Sequence, residues 1–240
     1  MGVDVKSNEG KRSMWLKLNV AFGASGRCGP ADERCWARTT GHGEDSLTPA
    51  CPARWRENDR TWLTNFDIMD VMAQYETRYR SFQFAGVFPV NAFNRRPEGG
   101  GCIVESICDL DVRAVAKKHS QLGFVFNLDR HDEPGSHWVA VYVGLRRSLP
   151  NYGIYYFDSV GQSPPEDIAQ FLNKICERMG DPRFSSVINT ERKQYKNTEC
   201  GMFSINFLVQ CLQRRSFKSI VSDRVFDDQV QRLRYKHFGC

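Results

Sequence analysis

The stretch NTECGMFSINFLVQCL, residues 197–212, decides how this chain is read. From Cys200 onward it is apolar nearly all round, which predicts a buried helix rather than an amphipathic surface one. Upstream, GFVFNLD (123–129), HWVAVYV (137–143) and GIYYFDS (153–159) are rich in β-branched and aromatic residues. Links carrying Gly and Pro separate them, so they read as three strands. SFQFAGVFPV (81–90) reads as a further strand ending at Pro89, and SSVINTERKQY (185–195) as another.

Three other segments have helical character. In WLTNFDIMDVMAQYE (62–76), Leu63, Phe66, Met69 or Asp70, and Ala73 recur at helical spacing, Ile68 and Met72 widen the face, and Thr64 or Asn65 can cap the start. DLDVRAVAKK (109–118) has acid at its start and Lys at its end, as the helix dipole prefers. PPEDIAQFLNKICERM (164–179) opens with Pro and acidic residues and carries a stripe of Ile168, Phe171, Leu172 and Ile175. NRRPEGGG (94–101) is a turn-rich loop. Residues 1–60 hold many Gly and Pro with little periodicity and read as an N-terminal arm or small subdomain. Residues 61–240 are the expected main domain.

At 41% hydrophobic and 25% charged residues, the 240-residue chain excludes wholesale disorder, collagen and coiled coil. No apolar run is long enough to span a bilayer, and no signal-peptide core follows Met1. Lys6 stands where a myristoylation site at Gly2 would need Ser or Thr. Lys and Arg number 33 against 28 Asp and Glu, a net charge of +5 that permits a weak nucleic-acid contact without demanding one. The nine cysteines are odd in number, which argues against a disulfide framework and for a reduced compartment. Cys28, Cys35, His42 and Cys51 could in principle hold zinc, but they lack a tight C-x-x-C knuckle, and free thiols are the preferred reading. No metal and no cofactor are expected.

One cysteine stands apart. Cys200 opens the buried helix, where unpaired backbone N–H groups and the dipole's positive end stabilise a thiolate and can hold an oxyanion. Gly201 beside it would let a substrate backbone approach. A thiolate nucleophile needs a base, and the base an orienting acceptor. Of the five histidines only His137 opens a strongly patterned strand. Asp158 closes the next one, and if the two strands pair, their ends can bring Asp158 close to His137. Gln194, six residues ahead of Cys200, is a candidate oxyanion donor.

The order His137, Asp158, Gln194, Cys200 resembles the ubiquitin-like-protein (SUMO) protease and adenovirus protease superfamily. The matching pieces are HW at a strand start, YYFDS at the next strand's end, Gln six residues before Cys, CGMF opening a helix, and the segment Trp62-Leu63-Thr64-Asn65 entering a helix. GIYYFDSVG and KNTECGMFSINFL look most similar to the polyprotein-processing proteases of large cytoplasmic DNA viruses, of the African swine fever virus type. The resemblance covers roughly residues 60–215. It implies an α+β fold: a permuted papain-like cysteine protease, with a central mixed sheet flanked by helices and an N-terminal arm.

It also implies roles. Cys200 would be the nucleophile, His137 the base and then acid, Asp158 its orienting partner, and Gln194 with the Cys200 amide the oxyanion hole. Trp138 and Trp62 would wall a narrow tunnel for a Gly-Gly segment. The implied function is an endopeptidase that matures viral structural polyproteins in the host cytoplasm and virion. Alternatives are removal of a ubiquitin-like modifier from host proteins, an acetyltransferase of related fold, or an inactive binding module. Asn65, where cellular members often carry Asp, and Glu199, where Asp commonly precedes the nucleophile, depart from the family pattern and bear on substrate preference.

Overall fold

The computed structural model describes residues 16–18, 20–22, 24, 49, 51–96 and 99–238. Chain contacts divide the molecule into two units, Met1–Thr48 and Pro49–Phe238. In the first, residues 16–18, 20–22 and 24 are helical. The second holds the sheet and the residues of chemical interest. Near its start Trp55 sits in a short 3-10 turn (Ala53–Arg56) and packs edge-on against Phe238 at 4.7 Å.

Five strands form one mixed sheet in the order β1 (Phe82–Pro89), β2 (Gln121–Asn127), β3 (Trp138–Gly144), β4 (Gly153–Phe157) and β5 (Ser186–Ile188). The inner pairs β2–β3 and β3–β4 are antiparallel, and the outer pairs β1–β2 and β4–β5 are parallel. Because side chains alternate along a strand, β3 faces two cores at once. Trp138, Ala140 and Tyr142 join one cluster with helix α1 (Asn65–Arg78) and helix α5 (Cys200–Leu212). Val139, Val141 and Val143 join the other, with Ile168, Phe171, Leu172 and Ile175 of helix α4 (Glu166–Met179). The helix α5 lies between the sheet and other helices, and so is buried along nearly its whole length.

Local chemistry sets the ends of these elements. Thr64 caps α1 reciprocally with Asp67: the Asp67 N–H donates to Thr64 Oγ1 at 3.2 Å, and the Thr64 N–H donates to Asp67 Oδ2 at 2.7 Å. Gly180 ends α4 in the left-handed region at φ 65°. Two short helices, α2 (Glu105–Cys108) and α3 (Val112–Lys118), link β1 to β2. The strand expected over 185–195 stops at Ile188. Beyond it the Asn189 side chain takes over the pairing, accepting from the Asp158 N–H at 2.7 Å and donating to the Asp158 carbonyl at 2.9 Å. The chain then turns, and the Lys193 and Gln194 N–H groups both donate to the Ser159 carbonyl. Two C-terminal helices, α6 (Phe217–Ser222) and α7 (Asp227–His237), were not anticipated.

The expectation that the chain lacks disulfides is corrected at Cys102 and Cys108, which are bonded to each other. The loop before α2 doubles back through an Arg95–Cys102 bridge, with the Ile103 N–H on the Asn94 carbonyl and the Val104 N–H on the Ala92 carbonyl. That hairpin carries Cys102 to the start of the turn holding Cys108. Cys51 is disulfide-bonded as well. Cys176, Cys200 and Cys211 are free thiols. Cys28, Cys35 and His42 lie outside the described residues. Among the described residues no helix is long and apolar enough to cross a membrane.

Candidate active site

His137 sits just before β3 and Asp158 just after β4. The antiparallel register, with Ala140 opposite Phe157, brings the two ends together. His137 Nε2 lies 2.7 Å from Asp158 Oδ1. Asp158 is fully buried, and its carboxylate also accepts the Val160 N–H at 2.9 Å and the Gln162 N–H at 3.2 Å. A carboxylate held by backbone donors and clamped through its own backbone by Asn189 cannot swing away from the imidazole.

The His137 imidazole also interacts with the Cys200 side chain. Burial works to lower the His137 pKa. The hydrogen bond to Asp158, and after it the interaction with the Cys200 side chain, more than offset this, raising it from 6.5 to about 9. The imidazole is therefore held in its protonated form near neutral pH. Cys200 is the first residue of α5 and only 1% exposed. The N-cap Glu199 makes no side-chain cap hydrogen bond, so the first-turn N–H groups beside Cys200 are not consumed by it.

Gln194 is buried and its amide is fixed at both ends. Oε1 accepts from the Ser159 hydroxyl at 2.6 Å, and Nε2 donates to the Lys196 carbonyl at 2.6 Å. Trp138 is 7% exposed and donates its indole N–H to the Leu63 carbonyl at 3.0 Å. Trp62, the neighbour of Leu63, is 39% exposed.

Gly201 is buried beside Cys200. A Cβ there would meet Leu63 at 3.1 Å and Trp138 at 3.2 Å, so the missing side chain makes room for these two residues. What packs α5 against the Trp138–Leu63 corner is the absence of a methyl at 201.

Several supporting residues had no distinguishing signal in the sequence. Asn189 is an ordinary strand-end residue until the fold sets its amide against the Asp158 backbone. Glu199 and Arg234 form a fully buried ion pair, 3.5 Å apart, beside Cys200. Arg234 comes from α7, whose buried face is polar apart from Val230, so hydrophobic periodicity is nearly silent about it.

Comparison with known proteins agrees with this arrangement. Residues 124–239 match the model of the Ulp1 protease family, C-terminal catalytic domain. A thiol protease of Acanthamoeba polyphaga mimivirus is 28% identical over 250 residues, covering 98% of this chain and 76% of the relative. A cysteine protease of African swine fever virus is 26% identical over 187 residues, covering 74% of this chain and 67% of the relative. The crystal structure of the African swine fever virus protease shares the fold, with a TM-score of 0.66 at 20% identity over 97% of this chain and 90% of that one. A central five-stranded mixed sheet flanked by helices is the fold this chain has in common with that structure. The chain carries a Ulp1-like catalytic domain over residues 124–239 and is a cysteine protease of the viral, SUMO-protease-like kind.

Proposed function

We propose that the chain is an endopeptidase that cuts after a Gly-Gly-like motif in viral structural polyproteins, with Cys200 as nucleophile. The observation that carries this reading is the His137–Asp158 hydrogen bond of 2.7 Å beside a buried cysteine at a helix start. A protonated imidazole next to the sulfur is the charge arrangement that favours a thiolate nucleophile over a thiol.

The sulfur attacks the scissile carbonyl, and the oxygen takes up the negative charge. The Cys200 N–H and the second Nε2 hydrogen of Gln194 hold that oxyanion; the first is committed to Lys196. His137 gives its proton to the departing amine as the carbon–nitrogen bond breaks, leaving an acyl-enzyme thioester. Neutral His137 then takes a proton from water, hydroxide adds to the thioester, and the sulfur leaves with His137 protonated again. Asp158 holds the ring through both steps. Trp138, immobilised by its bond to Leu63, and exposed Trp62 are suited to wall the approach and to reject side chains ahead of the cut.

Alanine at Cys200 or at His137 is expected to lower kcat/KM on a Gly-Gly-x peptide by at least about a thousandfold with the fold intact. Undiminished cleavage by either folded variant would sink the proposal. A second reading, removal of a ubiquitin-like modifier, is favoured by one relative: an African swine fever virus protein, 25% identical, described as a SUMO-1 cysteine protease. Paired assays on a modifier fused through Gly-Gly and on viral polyproteins separate the two.

A further inference from the structure

Arg234 reaches the centre of the molecule from the C-terminal helix α7 and is fully buried. Its guanidinium touches the chain at four places. Nη1 donates to the Thr61 carbonyl at 2.7 Å, and Nη2 donates to the Thr198 carbonyl at 3.2 Å. Nη2 also lies 3.5 Å from Glu199 Oε2, and the Trp55 ring covers the guanidinium with its centroid at 4.8 Å. Thr61 directly precedes Trp62. Thr198 and Glu199 directly precede Cys200. One planar cation therefore grips the backbone on both sides of the proposed cleft.

The consequence for Cys200 follows from peptide planarity. The Thr198 carbonyl is held by Arg234, and the Glu199 carbonyl accepts the Phe203 N–H at 2.8 Å. The Glu199 carbonyl and the Cys200 N–H share one peptide plane and point in opposite directions. Pinning the peptides on either side of Glu199 thus aims the Cys200 N–H, the proposed oxyanion donor, and sets where the Cys200 side chain leaves the helix. Stability alone explains the pair poorly. A buried ion pair is weak evidence of stabilisation, and here the pairing is incomplete: Glu199 Oε2 and Arg234 Nε make no hydrogen bond. What an arginine supplies and a lysine lacks is a rigid fork able to hold two carbonyls at once.

We propose that Arg234 is a positioning residue: it locks the Thr198–Glu199–Cys200 backbone in register with the Trp62 wall, so that sulfur, oxyanion donor and substrate line up. The proposal rests on the reading of Cys200 as nucleophile.

The test uses the full chain with Arg234→Lys and with the double variant Glu199→Gln/Arg234→Met, which leaves no unpaired buried charge. Thermal melting is measured for each, along with kcat and KM on a Gly-Gly-x peptide and the rate of Cys200 alkylation by iodoacetamide. The double variant is expected to melt below wild type by no more than the loss of the two carbonyl hydrogen bonds, since removing both charges together also removes their desolvation cost. Its kcat is expected to fall by about 10- to 100-fold, as for a small misplacement of reacting groups, with a much smaller change in KM. Arg234→Lys should show the same kcat loss while keeping the positive charge. Wild-type kcat in either folded variant, or a kcat loss no larger than the loss of folded protein, overturns the proposal. If instead wild-type Cys200 fails to react with iodoacetamide while Cys200→Ala still cleaves, the nucleophile assignment itself is at fault.

Discussion

His137 has one nitrogen on a fully buried carboxylate and interacts with the Cys200 side chain, and the site around it depends on neighbours that do no chemistry. Asn189 holds the Asp158 backbone, Ser159 holds Gln194, and Leu63 holds Trp138. Gly201 is the most sensitive of these supports. Replacing Gly by Ala in a helix gains up to about 1 kcal/mol from propensity. The new methyl would sit 3.1–3.2 Å from Leu63 and Trp138. Overpacking of this kind costs about 1–3 kcal/mol, so the steric effect outweighs the helical one. Gly201→Ala should therefore lower the denaturant midpoint and raise KM, because Trp138 must shift. An unchanged midpoint and KM would show that the corner is looser than its distances imply.

At the scale of elements, two helical and strand termini carry histidines with opposite demands. His237, in the last turn of α7, is buried with its Nδ1 2.9 Å from the Tyr75 hydroxyl. Burial, and then Lys236, lower its pKa from 6.5 to about 4. A depressed histidine adds stability that is present above pH 6.5 and is lost as pH falls through 4. His137, ahead of β3, is raised to about 9 and does the reverse: its contribution is full below pH 6.5 and is lost as pH rises through 9. Each effect is worth about 3 kcal/mol at most. Denaturant midpoints across this range should fall off on both sides of pH 6.5. His237→Gln should flatten the acid side and His137→Gln the alkaline side. A wild-type profile that rises steadily from pH 4 to 9 would contradict the assignment.

At the scale of the molecule, the order of strongly patterned elements was legible. The strand after His137, the strand before Asp158 and the apolar helix opened by Cys200 are buried on both faces, and burial of that kind writes itself into composition. The register then brings together residues that are 21 positions apart, His137 and Asp158, and makes their pairing readable. Other features left no such trace. α7 buries Asp227, Gln231, Arg234 and His237 with Val230 as the one apolar member, so its inward face looks much like a solvated one. β5 is short because the Asn189 amide replaces ladder hydrogen bonds, a substitution invisible to strand propensity. The Cys102–Cys108 bond depends on a loop doubling back, which an odd cysteine count could only obscure.

All of these layers, from the sheet register to the Arg234 fork, converge on one sulfur. The direct measurement is to treat the folded protein with limiting iodoacetamide, follow peptidase activity, and locate the carboxymethyl group by peptide mass mapping. The account predicts that activity falls in proportion to modification of Cys200, while Cys176 and Cys211, both free, remain unmodified over the same interval. Full activity in protein whose Cys200 is stoichiometrically alkylated would contradict it.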